Sequence, residues 1–361
     1  MKTKILGITV LIMLAVTFSG NNVSASDYKT LINLAGYWKF NLGDDKAWAD
    51  PKLDDKSWDN IKAPGAWENQ GYIGYDGYAW YRKKVVIPSI EQNRTLMLMI
   101  SNIDDVDEVY VNDHLIGHLG LFPPSYSTAY GWDRKYYVPI EFINQDAENT
   151  IAVRVYDGGG EGGIVGDKIK LCLDADEDFL ALNLAGDWKF KIFDKKSWKE
   201  PDLDDSNWAT LEVPMHWESQ GYFNLDGYAW YRKSFVLPKE LENKKVFLVL
   251  GKIDDYDEVY LNGKKIGETS MLEGHHSFFG GDDNWWGNSG DWQLKRIYEI
   301  PKNIIKNGNN VIAVRVYDSG QAGGIYEGPI GLMDEESVNE FQKKYHMNEN
   351  IFQTIFDFIF E

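Results

Sequence analysis

The chain has 361 residues, with 37 Lys plus Arg against 56 Asp plus Glu and a formal charge of −19 at pH 7. A field that acidic repels phosphate, which argues against nucleic acid or an anionic membrane surface as a partner and favours a neutral or cationic ligand. Its length suits about two domains of ordinary size, and the single cysteine, Cys172, excludes an intramolecular disulfide, so stability must come from core packing.

In chain order, Lys2 and Lys4 precede an apolar run from Ile5 to Phe18, followed by Val23-Ser24-Ala25, which fits the small-x-small rule of a secretory cleavage site. The run is too short for a comfortable membrane span. The expectation is a signal peptide over residues 1–25, a mature chain beginning near Ser26 with no membrane span, and secretion to the periplasm or the extracellular space.

The heptapeptide GYAWYRK stands at Gly77 to Lys83 and again at Gly227 to Lys233. Laying Leu31 to Gly117 over Ala181 to Gly267 without a gap leaves about half the positions identical, the mark of a duplication. Shared landmarks are LAG-x-WKF (Leu34 to Phe40; Leu184 to Phe190), LDD-x-x-W (Leu53 to Trp58; Leu203 to Trp208), P-x-x-WE-x-QGY (Pro64 to Tyr72; Pro214 to Tyr222) and IDD-x-DEVY-x-N (Ile103 to Asn112; Ile253 to Asn262). Both copies end on IAVRVYD, at Ile151 to Asp157 and Ile312 to Asp318, so the second copy carries an insertion between Gly267 and Ile312.

Within a copy the elements are strands. KKVVIP, LMLMI, DEVYVN and TIAVRVY are short β-branched, aromatic and aliphatic runs closed by Pro, Gly, Asn or Asp, and helical periodicity is weak. Asn262-Gly263 is a two-residue hairpin signal, and Asn112-Asp113 is its poorer counterpart. Alternation puts Val109, Val111, Val153 and Val155 on a core face and Glu108, Tyr110, Arg154 and Tyr156 on the other, which is either a covered salt-bridged layer or part of a sugar groove. Trp80, Tyr81 and Arg82 read as frame, with a sugar platform as the alternative. From Glu335 on, Val338, Phe341, Tyr345, Phe352, Ile355, Phe356 and Ile359 fall near helical spacing, which predicts an amphipathic tail docked on the second copy or offered to a partner.

The block W-x-x-x-G-x-x-x-x-DG-x-AWYRK from Trp67 to Lys83, the IDD-x-DEVY-x-N block, and AVRVYD followed by Gly162-Gly163-Ile164 or Gly323-Gly324-Ile325 resemble the sugar-binding jelly roll of family 2 glycoside hydrolases, and more closely the β-galactosidase-type jelly roll within sialate O-acetylesterases. The resemblance covers residues 31–171 and 181–332. It implies an all-β chain of two tandem galactose-binding-like jelly-roll β-sandwiches with a short C-terminal helical tail: residues 26–176, 177–334 and 335–361. It brings no active site, because those hydrolases and esterases keep their catalytic residues in separate α/β domains. No Gly-Asp-Ser, H-E-x-x-H, G-x-S-x-G or P-loop occurs in the chain.

The expected function is therefore a secreted, non-catalytic carbohydrate-binding protein. The alternatives are an ancillary subunit or remnant of a glycoside hydrolase or sialate O-acetylesterase, a structural scaffold, or a hydrolase acting through an unrecognised site. The partner is a glycan or oligosaccharide, and a carbohydrate-active enzyme is the second candidate. The copies differ most in the segment after the hairpin, Leu119 to Arg134 against Ser270 to Arg296, where aromatics mix with Gly, Asp, Asn and Ser as stacking on pyranose rings requires. Tyr126, Tyr130, Trp132, Trp285, Trp286 and Trp292 are the candidate platforms there, unless they merely plug the sandwich end. Asp157 and Asp318 match the Asp that family 2 hydrolases extend from their jelly roll toward the substrate. The acids of Asp104-Asp105-x-Asp107-Glu108 and of Asp254-Asp255-x-Asp257-Glu258 read as frame residues paired with Arg82 or Arg154, and with Arg232 or Arg315. No catalytic residue, metal ligand or cofactor is assigned; His275-His276 beside Asp282-Asp283 lack a third ligand set, and a structural calcium suits the fold class.

Overall fold

A computed structural model describes residues 28–91, 93–269 and 291–345. The expected signal peptide, Trp285, Trp286, the His275-His276 pair and the tail beyond Tyr345 lie outside the described residues. The described chain is β-structure joined by short 3-10 turns, with one short α-helix at its C-terminal end. None of its helices is long and apolar enough to cross a membrane.

Each half is built on the same two antiparallel sheets. In the first, a six-stranded sheet runs in the order Asp59–Ala63, Gly36–Leu42, Gly77–Ile87, Ala147–Asp157, Val106–Val111, His114–Leu119. A four-stranded sheet runs Tyr28–Asn33, Ile169–Asp174, Leu96–Ile100, Arg134–Val138. The second half repeats both orders: Ala209–Val213, Gly186–Ile192, Gly227–Val236, Asn309–Asp318, Tyr256–Leu261, Lys264–Thr269, and Leu182–Asn183, Gly324–Asp334, Val246–Asp254, Lys295–Ile300. The duplication seen in the residues is thus a duplication of topology.

Period-two alternation makes these strands. Val109, Val111, Val153 and Val155 enter one apolar core together with Leu96, Leu98 and Ile100 of the facing sheet. Met97 and Met99 turn outward to Cys172 and Tyr28. The hairpins fall where the turn residues require them: Asn112 and Asp113 take φ of 50° and 73°, Asn262 and Gly263 take 50° and 80°, the left-handed pair that a two-residue hairpin needs.

The heptapeptide is frame. It occupies a central strand in each half, and Ala79, Trp80, Tyr81 and Arg82 are fully buried, as are Ala229, Trp230 and Tyr231. Tyr81 packs 4.9 Å from Phe40 in the core, and Tyr231 stands 4.9 Å from Phe190. Trp80 points through the sheet to stack on Tyr110 at 5.7 Å. The Arg82 guanidinium donates to Asp55 at 2.9 Å and to the Asp50 carbonyl at 3.1 Å; Arg232 repeats this on Asp205 at 2.7 Å and the Glu200 carbonyl at 3.1 Å. That explains why LDD-x-x-W recurs with AWYR. The LAG-x-W motif closes in the same way, since the Trp38 indole N–H donates to the Leu34 carbonyl at 3.0 Å and Trp188 donates to Leu184 at 2.8 Å.

Between the two sets of sheets lies the turn Ala175–Phe179. The helix Glu335–Lys344, capped by Asp334 accepting from the Ser337 N–H at 3.0 Å, packs Val338 and Phe341 against Val249 and Met333 of the second half, with Phe179 beside them. For Val338, Phe341 and Tyr345 the tail therefore docks. Asp176 ties turn to helix by accepting from Lys295 at 3.2 Å and from Lys344 at 2.5 Å. A cavity of about 310 Å³ opens where the halves meet, with Tyr137 and Phe142 on one side and Glu212 and Met215 on the other.

Candidate functional site

The outer face of each six-stranded sheet carries an Arg–Tyr–acid cluster at the end of the central strands. In the first half Arg154 donates to both Asp44 oxygens, at 2.6 and 2.5 Å, and to Glu108 at 3.1 Å. Burial opposes ionisation of Asp44 and Glu108, but hydrogen bonds and the Arg154 charge outweigh it and hold both below the usual carboxylate range. Phe122, from the segment after the hairpin, covers this face: its ring stacks on Tyr78 at 5.9 Å, and the Arg154 guanidinium lies 4.0 Å from its centroid. The salt-bridged layer is covered here.

The second half has the same frame. Arg315 donates to Asp194 at 2.8 Å through each of two nitrogens and to Glu258 at 3.2 Å, and its guanidinium lies 3.9 Å over Tyr228. Around it Tyr228, Tyr256, Tyr317, Glu258, Glu268 and Thr269 line a cleft of about 170 Å³, and Tyr228 is 38% exposed. Flat phenol rings beside fixed charged edges are what a pyranose needs, apolar C–H faces against rings and hydroxyls against carboxylate and guanidinium.

At the end of the same strands the acids gather. Asp104, Asp105 and Asp157 bring one carboxylate oxygen each within 4.8 Å of one another, and Asp254, Asp255 and Asp318 do so in the second half. Asp105 is held by the Tyr126 and Thr128 hydroxyls and by the Gly158 N–H at 2.9 Å; Asp255 is held by the Ser319 N–H at 3.0 Å and its hydroxyl. Burial, then the neighbouring Asp105, pushes Asp104 up to about 7, and burial, then Asp255, pushes Asp254 up to about 8. Asp157 and Asp318 are raised to about 6, first by burial and then by nearby acids.

This corrects the reading of the IDD-x-DE acids. Glu108 and Glu258 do pair with Arg154 and Arg315, but Arg82 and Arg232 go to Asp55 and Asp205 instead. Asp107 takes Arg134 at 2.7 Å and Asp257 takes Arg296 at 2.9 Å, partners that lie past the hairpin and were not singled out. The Asp104-Asp105 and Asp254-Asp255 carboxylates meet Asp157 and Asp318. Nothing in the spacing marked that meeting; the only hint was the recurrence of both the IDD doublet and the terminal Asp of VYD.

Of the expected sugar residues, Tyr126 and Asp157 are brought together through Asp105, with Tyr126 42% exposed and edge-on to Tyr156 at 5.5 Å. Tyr130 is 60% exposed on the same segment but belongs to no cluster described above. Trp132 is half-buried, with its carbonyl taken by Arg134 at 2.6 Å. Trp292 is 37% exposed, and its carbonyl accepts from the Tyr326 hydroxyl at 2.7 Å. Asp318 sits in the second acidic cluster. The tyrosines of the cleft, Tyr228, Tyr256 and Tyr317, were not singled out as platforms, although the face that carries them was weighed as a sugar groove.

A family model described as the beta-galactosidase second all-beta domain matches residues 43–161, within the first half. A beta-glucuronidase of Formosa agariphila is 30% identical over 100 residues, covering 24% of this chain and 10% of that protein. A beta-galactosidase of Bacteroides ovatus is 27% identical over 93 residues, covering 22% of this chain and 11% of that protein. The matched stretch thus spans about a tenth of the length of these relatives. A crystal structure of Bacteroides uniformis beta-glucuronidase overlaps 81% of this chain and 28% of its own at 16% identity, with a TM-score of 0.36, too loose a superposition to carry an argument. The family 2 side of the resemblance read from the motifs is borne out: within residues 43–161 the chain carries a domain related to an accessory all-beta domain of these glycosidases.

Proposed function

We propose that the protein is a non-catalytic carbohydrate-binding protein made of two tandem jelly-roll β-sandwiches, residues 26–176 and 177–334, exported after loss of residues 1–25. The observation that carries the reading is the cleft of Tyr228, Tyr256, Tyr317, Arg315 and Glu258, which offers ring faces and fixed charged edges on the outer face of the second six-stranded sheet. One ring covering roughly 50 Å² of a sugar contributes on the order of 1 kcal/mol at about 25 cal/mol per Å². Two or three such contacts support a dissociation constant near ~1 mM. The relatives are glycosidases by name and match only over an accessory domain, which supports binding rather than cleavage. A glycan array run beside hydrolysis of aryl galactosides, aryl glucuronides and aryl acetates tests this. Binding without turnover is expected, whereas turnover abolished by one carboxylate substitution defeats the reading. Intact mass of the exported protein showing Met1 retained defeats export by cleavage.

A further inference from the structure

The acidic clusters hold a feature that sugar binding does not account for. Asp157 and Asp318 are each 0% exposed, and in each one oxygen accepts a single backbone N–H, from Gly159 at 2.9 Å and from Gly320 at 3.0 Å. The other oxygen, Oδ2, is buried in each and has no hydrogen-bond donor among the described residues. In the first half Glu68 repeats the pattern: its Oε2 accepts the Gly162 N–H at 3.0 Å while its Oε1 is buried without a partner. A buried carboxylate oxygen without a donor is costly to keep, and the same defect at equivalent positions of both halves points to a missing partner of positive charge.

Among the described residues, Arg134 and Arg296 are not that partner. Arg134 is spent on the Asp107 carboxylate at 2.7 Å and on the backbone carbonyls of Ala129, Trp132 and Asp105; Arg296 is likewise placed on Asp257 at 2.9 Å and on the carbonyls of Leu294 and Asp255. The other acids facing Asp157 are Asp76 and Glu68, and Asp226 and Glu218 face Asp318, which adds only negative charge.

We infer that Asp104, Asp105 and Asp157, and again Asp254, Asp255 and Asp318, each bind a hard divalent cation of the calcium class. The ligand set is all carboxylate, with no His or Cys, which favours an alkaline-earth ion over zinc or copper. A span within 4.8 Å suits Ca–O bonds of about 2.3–2.6 Å, whose opposite ligands stand up to roughly 5 Å apart. Magnesium, at about 2.0–2.1 Å, requires a tighter octahedron. The site ties the end of the Ala147–Asp157 strand to the Asp104-Asp105 corner, and the Asn309–Asp318 strand to Asp254-Asp255. It does not depend on sugar binding.

Calorimetric titration of the EDTA-stripped protein with calcium chloride, paired with melting in EDTA and in calcium, tests this. Two calcium ions per chain and a higher melting temperature in calcium than in EDTA are expected. Asp157→Asn or Asp318→Asn should each reduce the stoichiometry to one, and the double variant should abolish the calcium response. Both should melt in EDTA no lower than the unsubstituted chain, because a repulsive buried charge has been removed; this separates loss of a ligand from loss of the fold. No heat and no melting shift with calcium overturns the inference and leaves proton-sharing carboxyl clusters. Calcium binding whose stoichiometry survives both substitutions overturns it as well.

Discussion

Arg154 in the first half lies against two aromatic rings, Tyr78 from its own sheet and Phe122 from the segment after the hairpin. Arg315, its counterpart, lies over Tyr228, and around that pair a cleft is lined by Tyr256, Tyr317 and Glu268. The ion pairs beneath are the same, Asp44 and Glu108 against Asp194 and Glu258. Both copies thus hold an Arg between two carboxylates, while the described residues that lie over it differ. What the copies share is the buried frame, and on the proposed reading what they do not share is the cover over it.

The sharpest way to break that comparison is at the shared indoles. Trp80→Ala and Trp230→Ala should each cost about 3–5 kcal/mol in urea unfolding, because each removes a fully buried ring packed on a second Trp and a Tyr. A large loss in one half with almost none in the other would show that the copies do not share a frame. Phe122→Ala sharpens the comparison from the other side. It should cost about 2 kcal/mol of first-half stability and uncover Tyr78 and Arg154, raising the number of glycan sites per chain seen by calorimetry from one to two.

A second difference lies where the halves meet. Lys62 is exposed, whereas at the matching position Glu212 faces the cavity beside Tyr137, and burial, then Asp187, pushes it up to about 8. The folded state therefore keeps a proton that the unfolded chain loses near its ordinary value. The cost is absent below about pH 4.5, grows as pH rises, and is complete above about pH 8. Glu212→Gln should stabilise the protein at pH 8.5 by on the order of 1 kcal/mol and leave it unchanged at pH 4.5, as read by melting across that range. A flat difference across pH would remove Glu212 from the account. The smallest expected effect on stability is at the cleft: Tyr228→Ala should leave the melting temperature nearly unchanged while weakening glycan binding about fivefold, the equivalent of ~1 kcal/mol. Unaltered binding would move the ligand to another face.

Much of this was written in local residue order. The duplication, the strands, the Val face and the Asn hairpins follow from a period of two and from turn residues that accept positive φ, both of which act between near neighbours. The amphipathic spacing from Glu335 likewise announced a helix, and the structure docks it through Val338 and Phe341. What only the tertiary structure decided is who meets whom across the chain. Arg82 finds Asp55 from 27 residues away, Arg154 finds Asp44 from 110, and Asp105 meets the Gly158 N–H beside Asp157 from 53. Phe122 lies on Arg154 by the path of a loop that no periodicity describes. Charges and rings at such separations are assigned by the closing of the sheets over the core, and one acid in a strand carries no mark of which it will face.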